Sequence, residues 1–443
     1  MLARTESVAA PRPERQEAVI EVRAPRKRLA SKQAELHAPL ADPAIAQAVK
    51  NALATFGSEQ VEATEQTLAT AVRLAAIQSA RDYFYREMGG LRDSIERASA
   101  TLPGGDEPLP RVGIAAASVQ ACWLNSTIRA DTHASVLADA ADDEAVERID
   151  VPRRIKREGA DVTIDNAASF GAQASLDGRG VLVAVIDSEV QLDHPSLAGR
   201  IIHRRNYTRE PFGTPDFHGT AVAGLIASSG SGFTGMAPGS QIYNYKVLAT
   251  QRALDGTDFE GTLALQHALE DGVQVANCSW GNGPAGDGTG REARACDEAW
   301  DLGMVVVKSA GNEGPGSGTL TTPADAEGVL VVGATSGDGR TVPGYSSHGP
   351  TADGRHRPHV VAPGGDAGAE IEGILLGGGT GLLGEIGTSF AAPHVTGMIA
   401  LLLQREPHLQ PDQVRDRIVS TCQLLPNLDA DAQGAGLVNP TAL

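Results

Sequence analysis

At 443 residues, with 41% hydrophobic side chains and 51 glycines, the chain is long enough for two or three domains with their own cores, and its composition is globular and turn-rich. Aromatic residues make up only 4%, so the interior has to be built mainly from Val, Ala, Leu and Ile. A formal net charge of -18 argues against nonspecific nucleic-acid binding by the whole molecule and favours solubility.

Residues 1–35, rich in Arg, Lys, Glu, Pro and Ala, read as a mobile arm whose "RAPRKR" is a solvated basic cluster. The segment lacks the apolar core of a secretory signal, and no run in the chain is long enough to span a membrane. Cys122, Cys278, Cys296 and Cys422 are scattered without metal-ligand spacing. Reduced thiols in a cytoplasmic protein follow, with a Cys278–Cys296 disulfide as the alternative. Residues 36–105 read as a helical region. Asp42-Pro43 opens one helix, and a longer one runs from Glu62 to about Ser99. On the longer helix Leu68, Val72, Ala76 and Tyr83 make one stripe, while Leu74, Ile77 and Phe84 make a second on roughly the opposite face.

"LPGGDEPLP" then breaks the chain. Residues 106–160 read as a small α+β module and a polar linker, with strands around a helix that begins near Asp131. From about residue 161 to 443 the pattern is that of a large α/β domain. "GVLVAVID", "QIYNYKVL", "VQVANCSW", "MVVVKSAGN" and "GVLVVGAT" are short apolar runs that each lead into Gly, Asp, Asn or Ser. Such runs, alternating with helices such as "FEGTLALQHALEDG", predict a parallel sheet covered by helices on both faces. Ligands of these sheets bind beyond the carboxyl ends of the strands, where this chain keeps its polar residues.

Three of those polar residues belong together chemically. Asp187 ends a buried strand in "VLVAVIDSEV". His218 opens a helix in "DFHGTAVAGLIA", and Ser389 opens another in "GTSFAAPHVTGMIALLL". Each has a plain structural reading as a turn or cap residue, Ser389 above all as a helix N-cap. Together they supply what acyl transfer through serine needs: a nucleophile, a base to take its proton, and a carboxylate to orient that base.

The three segments resemble the Asp, His and Ser boxes of the subtilisin-like serine proteases, in the chain order of that family. The likeness runs from about Ile164 to Leu443 and includes "GMAPGSQIYNYKVL", "NCSWG", "SAGNEG", "YSSHGP", "VVAPG" and "GAGLVNPTAL". It implies a subtilisin-like catalytic domain and a serine endopeptidase acting on protein or peptide substrates. It makes Asn312 of "SAGNEG" the oxyanion donor, with the Ser389 N–H as a second. An extended substrate would lie along Ser279, Trp280 and Gly281 as an added strand, with Glu313 near the pocket for the primary side chain. The 106–160 module resembles the family's inhibitory propeptide, so the chain is expected to be a zymogen that cuts itself within 152–163; a permanent accessory domain is the other reading. Helices 42–100 match nothing in the family plan and would suit a regulatory partner.

Two departures bear on function. Asp187-Ser188-Glu189 has Glu where the family has Gly, which sets a charge beside the site and is expected to lower, gate or restrict activity in pH. Ser196 replaces an Asp that helps the family bind calcium, and "ASSGSGFTG" lacks the side chains that hard cations prefer, so no cofactor or metal is expected. A peptide-binding scaffold without turnover is the alternative function.

Overall fold

The computed structural model describes residues 15–22, 58–100, 119–157, 160–161 and 176–443. The expected helix from Asp42 lies outside them.

The first described element corrects the reading of residues 1–35 as an arm. Arg15–Val22 is a strand, β1, with Ala18 to Val22 buried. It is followed by the helix α1, Ser58–Ala100, and then β2 (Val119–Cys122) and β3 (Thr127–His133). The short helix α2 (Ala134–Ala141), which begins three residues after Asp131, and β4 (Val146–Asp150) complete the module. These strands form one antiparallel sheet in the order β2-β3-β1-β4. β1 is interior: it pairs with β3 from Arg15↔His133 to Glu21↔Thr127 and with β4 on its other side. The Arg/Glu/Pro-rich surroundings hide "AVIEV" in the sequence, and its partners lie more than a hundred residues away.

Helix α1 also differs in detail. One stripe is buried, through Ala76, Ile77, Ala80, Phe84, Met88 and Ile95, whereas Leu74 is 38% exposed. The stripe thus takes Ala76 from the first expected set and Ile77 and Phe84 from the second, and follows the 3-and-4 spacing of a single helix face. It packs against α2, β2, β3 and a helix of the large domain. The buried Arg73 donates to the Gly272 and Gly303 carbonyls of that domain.

The large domain begins after two short strands, β5 (Lys156–Arg157) and β6 (Ala160–Asp161). Chain order then gives β7 (Leu182–Asp187), β8 (Ile201–Asn206), α3 (Phe217–Ala227), β9 (Gln241–Lys246) and α4 (Asp258–Glu270). Next come β10 (Val275–Cys278), β11 (Trp280–Pro284), α5 (Arg291–Asp301), β12 (Val305–Ser309), β13 (Thr321–Thr322), β14 (Leu330–Thr335) and β15 (Val360–Pro363). A hairpin of β16 (Glu372–Leu375) and β17 (Gly379–Leu382) leads through β18 (Glu385–Ile386) to α6 (Thr388–Arg405) and α7 (Pro411–Ser420).

Seven strands form the expected parallel sheet, in the order β15-β14-β12-β10-β7-β9-β8. Alternate residues feed two cores, as the period-2 geometry of strands requires. Ala184, Ile186, Ala276 and Val306 face α4, α5 and, beyond them, the small module. Val183, Val185, Val305, Val307 and Val332 face α3, α6 and α7. The five apolar runs read from the sequence are β7, β9, β10, β12 and β14; the edge strands β8 and β15 were not among them. All four cysteines are thiols, and the Cys278–Cys296 disulfide is not formed. Among the described residues no helix is long and apolar enough to cross a membrane.

Candidate active site

Beyond the carboxyl ends of β7, β10 and β12 the sheet gathers its polar residues. Asp187, the last residue of β7, and His218, the second of α3, are joined by a hydrogen bond of 2.7 Å between Oδ1 and Nδ1, both side chains fully buried. Two features bring α3 this close. Asp216 is its N-cap and accepts the His218 N–H at 2.9 Å. Gly219 supplies clearance, since a Cβ there would stand 2.6 Å from the Ser188 carbonyl oxygen. Ser188 closes the turn, its Oγ accepting the Gly219 N–H at 2.9 Å and donating to Asp216 at 3.2 Å.

Ser389 is the second residue of α6 and is not its N-cap, a place taken by Gly387 without a side-chain hydrogen bond. Its hydroxyl donates to the Ser279 carbonyl at 3.2 Å, and Ser279 Oγ in turn donates to the Ser389 carbonyl at 2.9 Å. Phe390, the next residue, lies 5.4 Å from the His218 ring between centroids. His218 Nε2 is buried and has no hydrogen-bond partner. The structure therefore joins the carboxylate to the imidazole and brings the start of the serine's helix against the ring through Phe390, with the Ser389 hydroxyl turned toward Ser279.

Burial presses the His218 pKa down, but the Asp187 charge and hydrogen bond together outweigh it and the value is raised. Arg157 works against that rise and Glu385 adds to it. Asn312 follows β12 and uses its amide oxygen on Thr388, accepting the backbone N–H at 3.0 Å and the hydroxyl at 2.8 Å. The residue before the serine thus fixes the acceptor end of the Asn312 amide. Gly311, at φ +112, makes the bend that brings Asn312 there.

Trp280 and Gly281 form the start of β11 and pair antiparallel with Arg157 and Lys156. Glu313 meets the Lys156 ammonium. On the other side of Ser389, β18 pairs with β6, Ile386↔Ala160 and Glu385↔Asp161. A stretch of the chain's own N-terminal part therefore lies on both flanks of the serine as added strands, in the mode by which sheets bind peptides.

The charge on Glu189 is neutralised rather than left beside the site. Its buried carboxylate is 3.0 Å from Lys246 Nζ and accepts N–H groups from Gly213 at 2.8 Å and Thr214 at 3.2 Å. Lys246 also meets Glu210 at 2.9 Å. Residue 189 does not need glycine, because its backbone lies outside the left-handed region, where Ser126 and Asn427 are the only non-glycine residues described. Sequence reasoning passed over Lys246, Glu210, Asp216 and Asn244, the last accepting the Val190 N–H at 3.1 Å. Asp216 alone left a signal, as an Asp two residues before the helix-opening His.

At Ser196 and the 228–234 loop, where the resemblance would put the family's calcium site, the polar groups make hydrogen bonds within the protein. Ser196 uses its N–H on His194, and the 228–234 loop closes on itself through Ser228 Oγ to the Phe233 carbonyl at 2.8 Å. The loop's side chains carry hydroxyls and no carboxylate.

A carboxylate–imidazole pair and a serine at a helix start, all beyond the strand ends of a parallel α/β sheet, are the groups of a serine acyl-transfer site. The family model of the subtilase family matches residues 178–436, more than half of the chain, and the chain belongs to that family. The serine protease AprX of Bacillus subtilis (strain 168) is 34% identical over 300 residues, 60% of this chain and 66% of that protein. Subtilisin E of the same organism is 35% identical over 275 residues, again 60% and 66%. Fervidolysin of Fervidobacterium pennivorans is 36% identical over 287 residues, 58% of this chain and 38% of its own length. The chain thus spans just under two thirds of the first two relatives.

Proposed function

We propose that this protein is a serine endopeptidase made as a zymogen, with residues 15–157 as its intramolecular inhibitor. The observation that carries the reading is the passage of the chain along β11 and β18 on either side of Ser389. Ser389 Oγ turns from the Ser279 carbonyl to His218 Nε2, gives up its proton and attacks the peptide carbonyl carbon. Asp187 stays ionised, holds the His218 tautomer and stabilises the imidazolium. The oxyanion is met by the Asn312 amide and the Ser389 N–H, within the first turn of α6 where N–H groups have no intrahelical acceptor. His218 then protonates the leaving amine, the acyl-enzyme forms, and a water deprotonated by His218 releases the acid. No step needs a metal or cofactor in this reading.

Self-cleavage falls between Arg157 and Ala160, inside the interval expected from the sequence. The substrate is an extended protein or peptide segment, and the reduced thiols suit the cytoplasm. Intact mass of wild-type and Ser389→Ala protein, before and after an organophosphonate probe, tests this. A wild type split at 157–160 and labelled once, beside a whole and unlabelled mutant, is the expected result. A wild type that stays whole and unlabelled, even after limited trypsin cutting of the segment, sinks it.

The second reading, a peptide-binding scaffold without turnover, draws on the Ser389 hydroxyl bonding to Ser279 and on the unpartnered His218 Nε2. Peptide affinity with no turnover, unchanged by Ser389→Ala, distinguishes it.

A further inference from the structure

The segment in the cleft carries four cations around one apolar residue: Arg153, Arg154, Ile155, Lys156 and Arg157. They are held in different ways. Lys156 and Glu313 meet at the rim with side chains 48% and 54% exposed, a contact that water screens. Arg154 reaches the Arg252 carbonyl at 3.1 Å from an exposed position. Arg157 is forked onto Asp216, Nη1 to Oδ1 at 2.9 Å and Nη2 to Oδ2 at 3.1 Å. Its Nη2 also donates to the Ala249 carbonyl at 3.0 Å. Asp187 and Asp255 add negative charge around the same guanidinium.

Two parallel N–H···O bonds to one carboxylate, in a half-enclosed site, are how arginine is told from lysine and from neutral side chains. The acceptor does not depend on Arg157 for its position. Asp216 is the N-cap of α3, held by the His218 N–H and the Ser188 hydroxyl, and its side chain is only 10% exposed. When the segment leaves, this carboxylate stays in the wall of the cleft, held by the His218 N–H and the Ser188 hydroxyl and open to a second guanidinium.

We propose that Asp216 is a specificity-determining residue of the cleft, selecting peptides that carry an arginine in the position Arg157 occupies opposite Trp280. The proposal rests on the peptidase reading above and names its substrate class. The anchor for that side chain is one hydrogen bond from the backbone of His218, so a bound arginine is registered against the turn that carries the imidazole.

The test uses self-processed full-length protein and two peptides copying residues 150–166, one with Arg at position 157 and one with citrulline, its neutral near-isostere. The expected kcat/KM is at least ~10-fold higher for the arginine peptide, as a charge-assisted fork implies. In Asp216→Asn, which keeps a capping side chain, the ratio falls toward one whatever the absolute rates. A ratio near one in the wild type, or an undiminished ratio in Asp216→Asn, overturns the proposal. Anisotropy titration of the same peptides onto full-length Ser389→Ala/Arg157→Gln protein, whose own segment has lost its fork, gives a readout without turnover. Tighter binding of the arginine peptide with no cleavage by the wild type means that the peptidase reading alone has failed. Equal binding of both peptides, or binding of neither, overturns the assignment of Asp216.

Discussion

Glu189 is the residue whose reading changed most between sequence and structure. In the sequence it is a charge in place of a glycine, beside Asp187. In the fold it is a buried acceptor that holds the 213–214 backbone and shares Lys246 with Glu210. Lys246 is 57 residues further along, on β9, so no local pattern announces the pair. Restoring the family residue by Glu189→Gly is therefore expected to destabilise, since it strips Lys246 of one carboxylate and leaves two N–H groups without their acceptor. Breaking a buried pair costs about 3–5 kcal/mol, and the part kept by Glu210 puts this variant toward the lower end. Denaturant unfolding measures the loss, and an unchanged midpoint refutes the role. His218 supports a second prediction. It acts as a base only when neutral, so turnover falls as pH drops through its raised pKa. Asp187→Asn removes the two larger raising contributions, the Asp187 charge and its hydrogen bond, and leaves burial, which lowers the value, against the smaller Glu385 contribution. The acid limb of the kcat/KM profile therefore moves to lower pH, and kcat falls by roughly 10⁴, the loss that the corresponding change causes in a known serine protease. An acid limb that stays in place in Asp187→Asn contradicts the assignment.

At the scale of elements, legibility followed burial and locality. β7, β10, β12 and β14 are nearly continuous apolar runs because both sheet faces are covered, and such runs stand out from any background. The helix starts at His218 and Ser389 were readable for the same reason, as polar residues that end an apolar pattern. β1 was not, because its eight residues carry two glutamates, one of them the buried Glu21, whose carboxylate meets Arg294 at 2.6 Å. A charge neutralised by a distant partner looks like solvent exposure in a sequence. α1 was readable as a helix, but its inner face was not, since both stripes are apolar and the choice is made by what packs on it. That choice can be tested. Phe84→Ala, at 7% exposure, is expected to cost about 3–5 kcal/mol, whereas Leu74→Ala, at 38%, stays within about 0.5 kcal/mol. Hydrogen exchange across 119–150 should rise in the first variant and not in the second; the reverse order would put the other stripe inside.

At the scale of the molecule, the small module and the large domain meet through charge as well as apolar area. Trp123 donates its N–H to Gln266 and its indole N–H to Glu270, both at 2.7 Å, and the buried Arg129 pairs with Glu260 on α4. Arg291 on α5 holds Asp258 at 2.6 Å and Asp150 of β4 at 3.2 Å. β4 leads within six residues into β5, so whatever holds β4 also holds the segment on β11. β4 in turn pairs with β1, and β1 contributes Glu21, which meets both Arg294 and Arg148. The first described strand is thereby a keystone for a contact at the candidate active site more than a hundred residues away. Deleting residues 1–22 in a Ser389→Ala background removes β1 from the interior of its sheet and leaves β4 without the only strand it pairs with in the described fold. The cost is several backbone hydrogen bonds and the burial of Val19 and Ile20, enough to loosen a module of this size. Trypsin, to which 153–157 offers four basic residues, is expected to cut there at least ~10-fold faster than in full-length Ser389→Ala protein, because proteolysis follows the open population. The seven-stranded sheet, with a core of its own on the α3–α6 face, should keep its protection in the same digest. Equal cutting rates in the two proteins would mean that the segment is held by the cleft alone, through Arg157 and Asp216, and that the N-terminal strand has no part in closing the site.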